Sequence, residues 1–510
     1  MYKAKTLYNK YFLTFLFFIG ILHWFLFCNL VYPFNCSEIF STGIVSFVAS
    51  SFEKKAFSLQ DWTKINQMFG VIKDALQGGV IPYHVPEIDN IIRSVQGRFF
   101  AAPSYTIAPH VLLIYFLDSS TFYLVNLLLM YSVGFYGCIL IKKHYSLGLV
   151  PFTFLFILFN FNGYFVEKYV AYGDAQMGYF LIPFLILYIL KVSETAIRNL
   201  RAQIRYGLLI GIVLSGMLWL GSLHIFLNCM TFVLIWGLVN YKLWKVSLTF
   251  FATAIITSTI RIFPALVTVD IGGRGELWPG YGYSHNIVAA FAKLPTLTSP
   301  WYMHSWEYSI YTGSIGLCAL MYFGCFGSFM KGKRVQLNGW YSIGIPCVYV
   351  LVLSMWGFRK YLAPDFIPLI NKEYIPSRYI FIPVLMFSVI ASINMNEFIK
   401  KYNNSNRVKF ALSILCFLIA VSVFNHSRIW RMHKSQDDFE QAIALNEVER
   451  NGYQSGLDRH VYIDNNPDDI VYIASFWIGL FVSLLSLIVV VWWLWRDWKR
   501  RKTELNRILI

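Results

Sequence analysis

Charge is scarce in this chain. Only 14% of its 510 residues are Asp, Glu, Lys or Arg, where a soluble domain carries about a quarter. Acids are scarcer still, 27 against 43 bases. Also missing is any CxxC pair or regular cysteine spacing, which excludes a zinc ribbon and a disulfide framework. Of the eight cysteines, Cys138, Cys229, Cys318, Cys325, Cys347 and Cys416 fall in apolar runs. Cys28 and Cys36 sit near one exposed edge, as two free thiols or a local bridge. No two halves of the sequence look alike, so the internal repeats of many transporters are unsupported. A phosphate loop is absent too. Its one lookalike, GSFMKGK, is followed by Arg334 rather than Ser or Thr, and it closes an apolar run instead of joining strand to helix.

What is present is apolar surface: 57% of residues are hydrophobic and 18% aromatic. They are gathered into many runs of about 20 residues, the length that crosses a bilayer as helix. The first, Tyr11 to Phe34, is too long and aromatic for a cleaved signal, and no small-residue cleavage site follows it. The expected fold class is therefore an all-α polytopic membrane protein. It has about twelve transmembrane helices, at 11–33, 121–142, 148–165, 176–192, 207–221, 224–240, 246–266, 309–330, 340–357, 378–397, 408–426 and 472–494.

With the N-terminus in the cytoplasm, the short inner connections collect Lys142 and Lys143, Arg198, Arg201 and Arg205, Lys331, Lys333 and Arg334, Lys400 and Lys401, and Arg496 to Lys502. Of the 27 acids they hold only Glu194, Glu397, Asp497 and Glu504. This is the positive-inside pattern, so the basic balance is a topology signal and calls for no nucleic-acid partner. Both termini are expected in the cytoplasm. The inner connections leave no room for a nucleotide-binding domain, and chemistry is expected on the outer face.

Three outer segments are sizeable: 34–120, 267–308 and 427–471. In the first, Ile65, Met68, Phe69, Ile72 and Leu76 recur at helical spacing, predicting an amphipathic interfacial helix with Trp62 as anchor. Asp61 stands where an N-cap belongs. Gly78, Gly79, Pro82 and Pro86 then break the chain ahead of Glu87 and Asp89. Ala108 to Leu117 predicts a second interfacial helix. The third segment holds SQDDFEQAIALNEVERNGY, expected helical, and the turn DNNPDD; acceptor recognition and a packed cap are both open for it.

One span, a long outer loop with interfacial helices and an early acid, many spans with short connections, and a late basic PSR segment make a recognisable pattern. The stretches LQDWTKINQMF, LQGGVIPYH, AAPSYTIAPHVLLIYFL, YGDAQMGYFLIPFLILYIL, WEYSIYTGSIGLCAL and YIPSRYIFIPVLMFSVIASIN carry it. Over residues 10–400 the chain resembles the GT-C superfamily of membrane glycosyltransferases, most of all the bacterial YfhO-like and O-antigen-modifying enzymes. The resemblance implies a bacterial inner-membrane enzyme with an extracytoplasmic active site. It would transfer a sugar from a polyprenyl-phosphate carrier to a glycan, lipid or polymer acceptor, as in cell-surface polysaccharide or O-antigen modification. A separate partner enzyme would charge the lipid. It also implies that an acid of the first outer loop acts on the acceptor: Asp61 matches the position after the first span, and Glu87-x-Asp89 the acidic-pair form.

Attack of a sugar hydroxyl on an anomeric carbon wants a nearby deprotonated base and cations to steady the departing phosphate. Asp61, Glu87 and Asp89 are the catalytic candidates. Asp61 is slightly favoured as base, with the pair as acceptor contact or as oxygen ligands for Mg²⁺ or Mn²⁺; a solvated turn after Pro86 is their bland alternative. Arg261, Arg378, Lys372 and Arg359 are candidates for the donor phosphate. Arg378 opens a span beside Lys372 and Arg359, where ordinary snorkelling is the alternative. Arg261 falls inside a span, where an ionisable residue is costly and by default functional; the alternative is a structural pairing with Asp174 or Glu307. Asp174, Glu307, Trp306 and His224 complete the set as substrate-binding candidates, each open to reading as a boundary, cap or belt residue; His110 ranks with His224.

The expected organisation is a transmembrane domain over 1–426, an outer segment over 427–471, and a last span with a basic tail over 472–510. Two other functions compete. A polysaccharide polymerase would concentrate outer mass and arginines in the later half. A lipid-linked glycan flippase or other transporter would bury several charges within spans, and the sequence places essentially Arg261 alone there.

Overall fold

The computed structural model describes residues 2–28, 60–85, 97–102, 105–117, 119–194, 199–268, 280–282, 284–292, 307–326, 341–355, 375–427 and 469–509. Among these the regular structure is helical, with no strand and two isolated bridges. Among the described residues eight helices are long and apolar enough to cross a membrane, or nine if one bent pair counts as a span. Helix lies in each of the twelve predicted runs. The runs at 309–330 and 340–357 carry only shorter apolar helices among the described residues.

In chain order the helices are α1 Tyr2–Cys28, α2 Gln60–Gly78, α3 Ser119–Tyr145, α4 Leu149–Asn160, α5 Gly163–Tyr172, and α6 Ile182–Glu194, the last entered through a 3-10 segment, Gly173–Leu181. Next come α7 Leu200–Trp219, α8 Leu223–Val239, α9 Trp244–Ile256, α10 Thr259–Thr268 and α11 Ser284–Ala292. Then follow α12 Gly313–Ala319, continued by a π-helical turn to Cys325, and α13 Tyr341–Leu353. A 3-10 turn, Pro376–Ile380, leads into α14 Phe381–Lys401; α15 spans Asn406–Ser427 and α16 Ile470–Leu509.

Burial sorts the spans into centre and rim. The most apolar stretch of the span Pro376–Lys401 is 89% buried in the protein and that of Leu149–Tyr169 83%, against 22% for Asn9–Phe27 and for Asn406–Ser427. The first two form the centre. The others turn Phe15, Phe18, Phe410 and Phe417 outward, as a lipid-facing rim requires.

The expected neighbours 224–240 and 246–266 are not two straight spans. Leu223–Val239 and Tyr241–Ile256 meet at a bend of 107°, and Thr257 and Ser258 then separate α9 from α10. Small residues let α9 approach α7 closely. A Cβ on Gly207 would fall 2.6 Å from Thr249 Cβ, and one on Gly211 2.5 Å from Thr253 Cβ. One turn further along, Ser215 meets the Thr257 hydroxyl. The matched spacing of four makes α7 and α9 a parallel small-residue pair, held by close packing because lipid supplies no hydrophobic drive between helices. At the α9–α10 break, the Ile260 amide donates to Ser483 Oγ at 2.9 Å and Thr259 Oγ1 to the Gly479 carbonyl at 2.9 Å. Helix α16 thus satisfies backbone that the break would leave open in lipid.

The first outer loop folds back on the bundle. The predicted face of α2 is buried through Met68, Phe69 and Ile72. Phe69 packs edge-on against Phe122 at 4.9 Å and Tyr123 at 5.4 Å, so this face covers protein. Asp61 lies in the first described turn of α2, inside the helix instead of ahead of it. Ala108–Leu117 forms a 3-10 helix, Pro109–Tyr115, with Leu112 and Tyr115 exposed.

Replacing Gly211 by Leu is expected to destabilise the protein by about 1–3 kcal/mol through overpacking, read as a lower unfolding midpoint in detergent. Gly70→Ala, where no atom lies within 4 Å of an added Cβ, is the matched control and should not lower it.

Candidate functional site

The sequence breaks a central span at Phe161 and Asn162. Asn162 caps α5, accepting from the Phe165 amide at 3.2 Å, while its Nδ2 donates to Tyr179 Oη at 2.6 Å and the Leu158 carbonyl at 2.7 Å. The restarted helix carries Glu167 and Lys168, both fully buried. A second segment, 307–312, is threaded beside it. Ile310 and Thr312 donate their amides to the carbonyls of Ala290 and Phe291, and Gly163 donates to the Tyr311 carbonyl at 2.8 Å. A Cβ on Gly163 would stand 2.6 Å from Tyr311 N, so the close approach needs glycine there.

Those two segments and the PSR turn close a buried ion cluster. Arg378 Nε donates to Glu307 Oε2 at 2.9 Å and its Nη2 to Oε1 at 2.7 Å. Lys168 Nζ donates to the same Oε2. The bidentate fork fixes the orientation of Arg378 as well as its charge. The Asn228 side chain also reaches the Arg378 carbonyl, at 3.4 Å. Burial alone would raise the Glu307 carboxyl, but the Arg378 guanidinium and Lys168 ammonium hold it well below the usual carboxylate range.

Beside the triad lies a second pair. His426 Nε2 is 2.9 Å from Glu167 Oε1, with both side chains fully buried. Tyr311 stacks on His426 at 4.3 Å, with its hydroxyl 2.9 Å from Ser422 Oγ. Tyr281 donates its hydroxyl to the Tyr308 carbonyl. Burial, then Tyr308 and the Glu167 and Glu307 carboxylates, push its phenol well above the usual tyrosine range. One phenol thus feels both carboxylates.

The structure brings together two residues singled out from sequence, Glu307 and Arg378. It adds three that sequence reading missed: Glu167, Lys168 and His426. The available signal was the adjacent acid and base of FVEKY, set among aromatics where a boundary charge was expected. His224 stands half-buried in the first turn of α8. Asp174 lies on the 3-10 segment that follows α5. Glu87, Asp89, Trp306, Arg359 and Lys372 fall outside the described residues, as do the segment 428–468 and Cys36.

Arg261 is held in large part by backbone, and the side chain of Asp174, one of its two expected partners, lies outside the described residues. Its guanidinium donates to three backbone carbonyls, Leu218 at 3.3 Å, Ala102 at 3.1 Å and Tyr105, and lies over the Tyr105 ring at 4.7 Å, while Glu307 is held by Lys168 and Arg378. Its place is between the first outer loop and the break of the seventh predicted span. The same loop is tied to α16. Arg98 Nε contacts Asp469 Oδ2 at 2.5 Å and His84 Nε2 lies 3.1 Å from it. The Phe100 amide donates to Tyr472 Oη at 2.9 Å, and Phe100 stacks on Phe476 at 4.0 Å.

Helix α2, which bears Asp61, packs against α5 and the 3-10 segment after it. The helix of the favoured acid therefore neighbours the helix of Lys168. Among the described residues no three His, Cys, Asp or Glu side chains gather to hold a metal ion. No family model, curated protein or solved structure matches the chain.

Glu307→Gln would leave two buried cations without their carboxylate and is expected to destabilise by about 3–5 kcal/mol. Because the folded pKa of Glu307 is depressed, its stabilisation is present above the ordinary carboxylate range and is lost only as pH falls through the lower folded value. Unfolding midpoints between neutral and mildly acidic pH should therefore not register its titration in the wild type.

Proposed function

We propose that the chain is a multi-pass membrane glycosyltransferase of the GT-C type, with about twelve spans and both termini in the cytoplasm. It would move a sugar from a polyprenyl-phosphate carrier to an extracytoplasmic acceptor. What supports this reading most is a juxtaposition. The PSR arginine, expected at the lipid phosphate, shares a buried carboxylate with Lys168, and the helix carrying Lys168 abuts the helix carrying Asp61. The helix that bears a base candidate thus touches the helix that bears one of the two cations, and the charge pattern assigns the loop carrying that base candidate to the outer face.

In this reading the acceptor hydroxyl loses its proton to an outer-loop carboxylate, its oxygen bonds the anomeric carbon, and the bond from that carbon to the phosphate oxygen breaks. The carrier leaves as a phosphate whose charge Arg378 and Lys168 steady, as fixed cations do in a water-poor site. Glu307 holds both in place. It is a positioning residue, and so is Arg261, which sets the loop between the acids and the spans.

One observation favours a second reading. The Glu167–His426 pair is a buried carboxylate and imidazole beside an ion triad, the kind of group that marks proton and substrate pathways in membranes. A lipid-linked glycan transporter would use it.

The test measures transfer from radiolabelled polyprenyl-phosphate sugars in membranes carrying wild type, Asp61→Asn, Glu87→Gln or Asp89→Asn. Loss of the base should reduce transfer by about 10²–10⁴-fold. Undiminished transfer in all three variants would remove the carboxylate assignment. A wild type that transfers from no donor, yet carries a lipid-linked glycan across proteoliposomes, would establish the transporter.

A further inference from the structure

The far end of α16 carries a charged feature that sugar transfer does not use. This helix has 40 residues, so it is about 60 Å long, twice the roughly 30 Å of a bilayer's hydrocarbon core. Its last turns therefore stand at headgroup depth and beyond. There Trp492, Trp495 and Trp498 are each about half exposed. Arg496, Lys499 and Lys502 lie over their rings at 4.8, 3.8 and 5.4 Å. Exposed tryptophans with cations above them belong at a membrane interface.

Behind this belt sits a built cluster. The Asp497 carboxylate, 3% exposed, receives Arg201 Nε at 2.7 Å, Arg501 Nε at 3.0 Å and Arg205 Nη1 at 3.4 Å. Three guanidinium groups on one carboxylate leave two positive charges in excess. The Arg201 and Arg501 side chains are 34% and 47% exposed. Both address Asp497 through Nε, and their terminal nitrogens make no protein hydrogen bond among the described residues. Such planar forks match phosphate oxygens. Arg201 also lies over Trp493 at 5.8 Å, which fixes the cradle to the belt. Just above, α16 exposes Ile488 and Val491.

We propose that Arg201, Arg205 and Arg501 form a cradle for the phosphate of one anionic phospholipid, in the leaflet where α16 ends. The occupant is a lipid and not free phosphate because the cradle opens beside tryptophan and aliphatic surface that only acyl chains would cover. The inference rests on the membrane reading and not on sugar transfer, so the two fail separately.

Native mass spectrometry of the purified full chain, released from detergent with phosphatidylglycerol or phosphatidylcholine, reads it directly. The wild type should retain one phosphatidylglycerol in preference to phosphatidylcholine. Arg201→Gln/Arg501→Gln should retain it about twenty-five-fold less, at about fivefold per interfacial charge. Arg500→Gln, outside the cradle, should change little. Asp497→Asn removes the competing carboxylate and should retain the lipid at least as strongly as wild type, which a merely structural ion cluster does not predict. Equal retention of the two lipids would overturn the proposal. So would wild-type retention by the double variant, retention in Asp497→Asn as low as in the double variant, or displacement of the lipid by millimolar inorganic phosphate.

Discussion

Burying Glu307 between Lys168 and Arg378 is the constraint that organises the rest of the molecule. Each of these charges loses several kcal/mol of hydration on burial, and no partner from solvent can replace a missing one. They come from positions 168, 307 and 378, so the break after α4, the threaded 307–312 segment and the PSR turn must all be in register at once. Gly163 and Asn162 serve that register, one by admitting Tyr311 and the other by capping the restarted helix. A well-packed apolar cluster could be as stable. What the ions add is one arrangement and no near alternative, together with two cations fixed in direction.

A second dependence runs between the chain's two ends. The first outer loop is anchored by Arg261 through Ala102 and Tyr105, and by α16 through Asp469, Tyr472 and Phe476. Helix α16 also repairs the α9–α10 break through Ser483. The last helix is thus more than a closing span, since it holds the loop that carries the acids against the spans that carry the cations. Losing α16 would free both.

Periodicity and charge bias made much of this legible. The apolar runs gave helix in all twelve predicted places, and the α2 face buried as its spacing required. Glu307 and Arg378 were visible because each stands at the edge of an apolar run. Glu167 and Lys168 were hidden for the opposite reason. A span edge drawn at 165 turned them into boundary charges, whereas the break at Phe161–Asn162 carries the helix inward past that edge. His426 was hidden as the last residue of an apolar run. The bend between α8 and α9 was illegible because Asn240 and Tyr241 look like an ordinary inner loop; it goes with the packing of α9 on the Gly207–Gly211 surface of α7, a contact between distant segments. Arg261 was correctly marked as abnormal, but three of its anchors are backbone carbonyls, which carry no sequence signature.

The charge balance of the cluster bears on which chemistry it suits. Counted with both carboxyls ionised and His426 neutral, Lys168 and Arg378 offset Glu307 and Glu167, and an arriving phosphate then brings negative charge into a site with none to spare. A transferase can accept that state briefly, because its phosphate enters on one lipid and leaves on the same lipid, and fixed cations suffice. A transporter must change the site's charge between its two faces, and among the described residues the Glu167–His426 pair is a group that can do so without breaking the triad. Whether that pair exchanges a proton in each turnover is thus the physical difference between the two readings, and it is independent of the identity of the sugar.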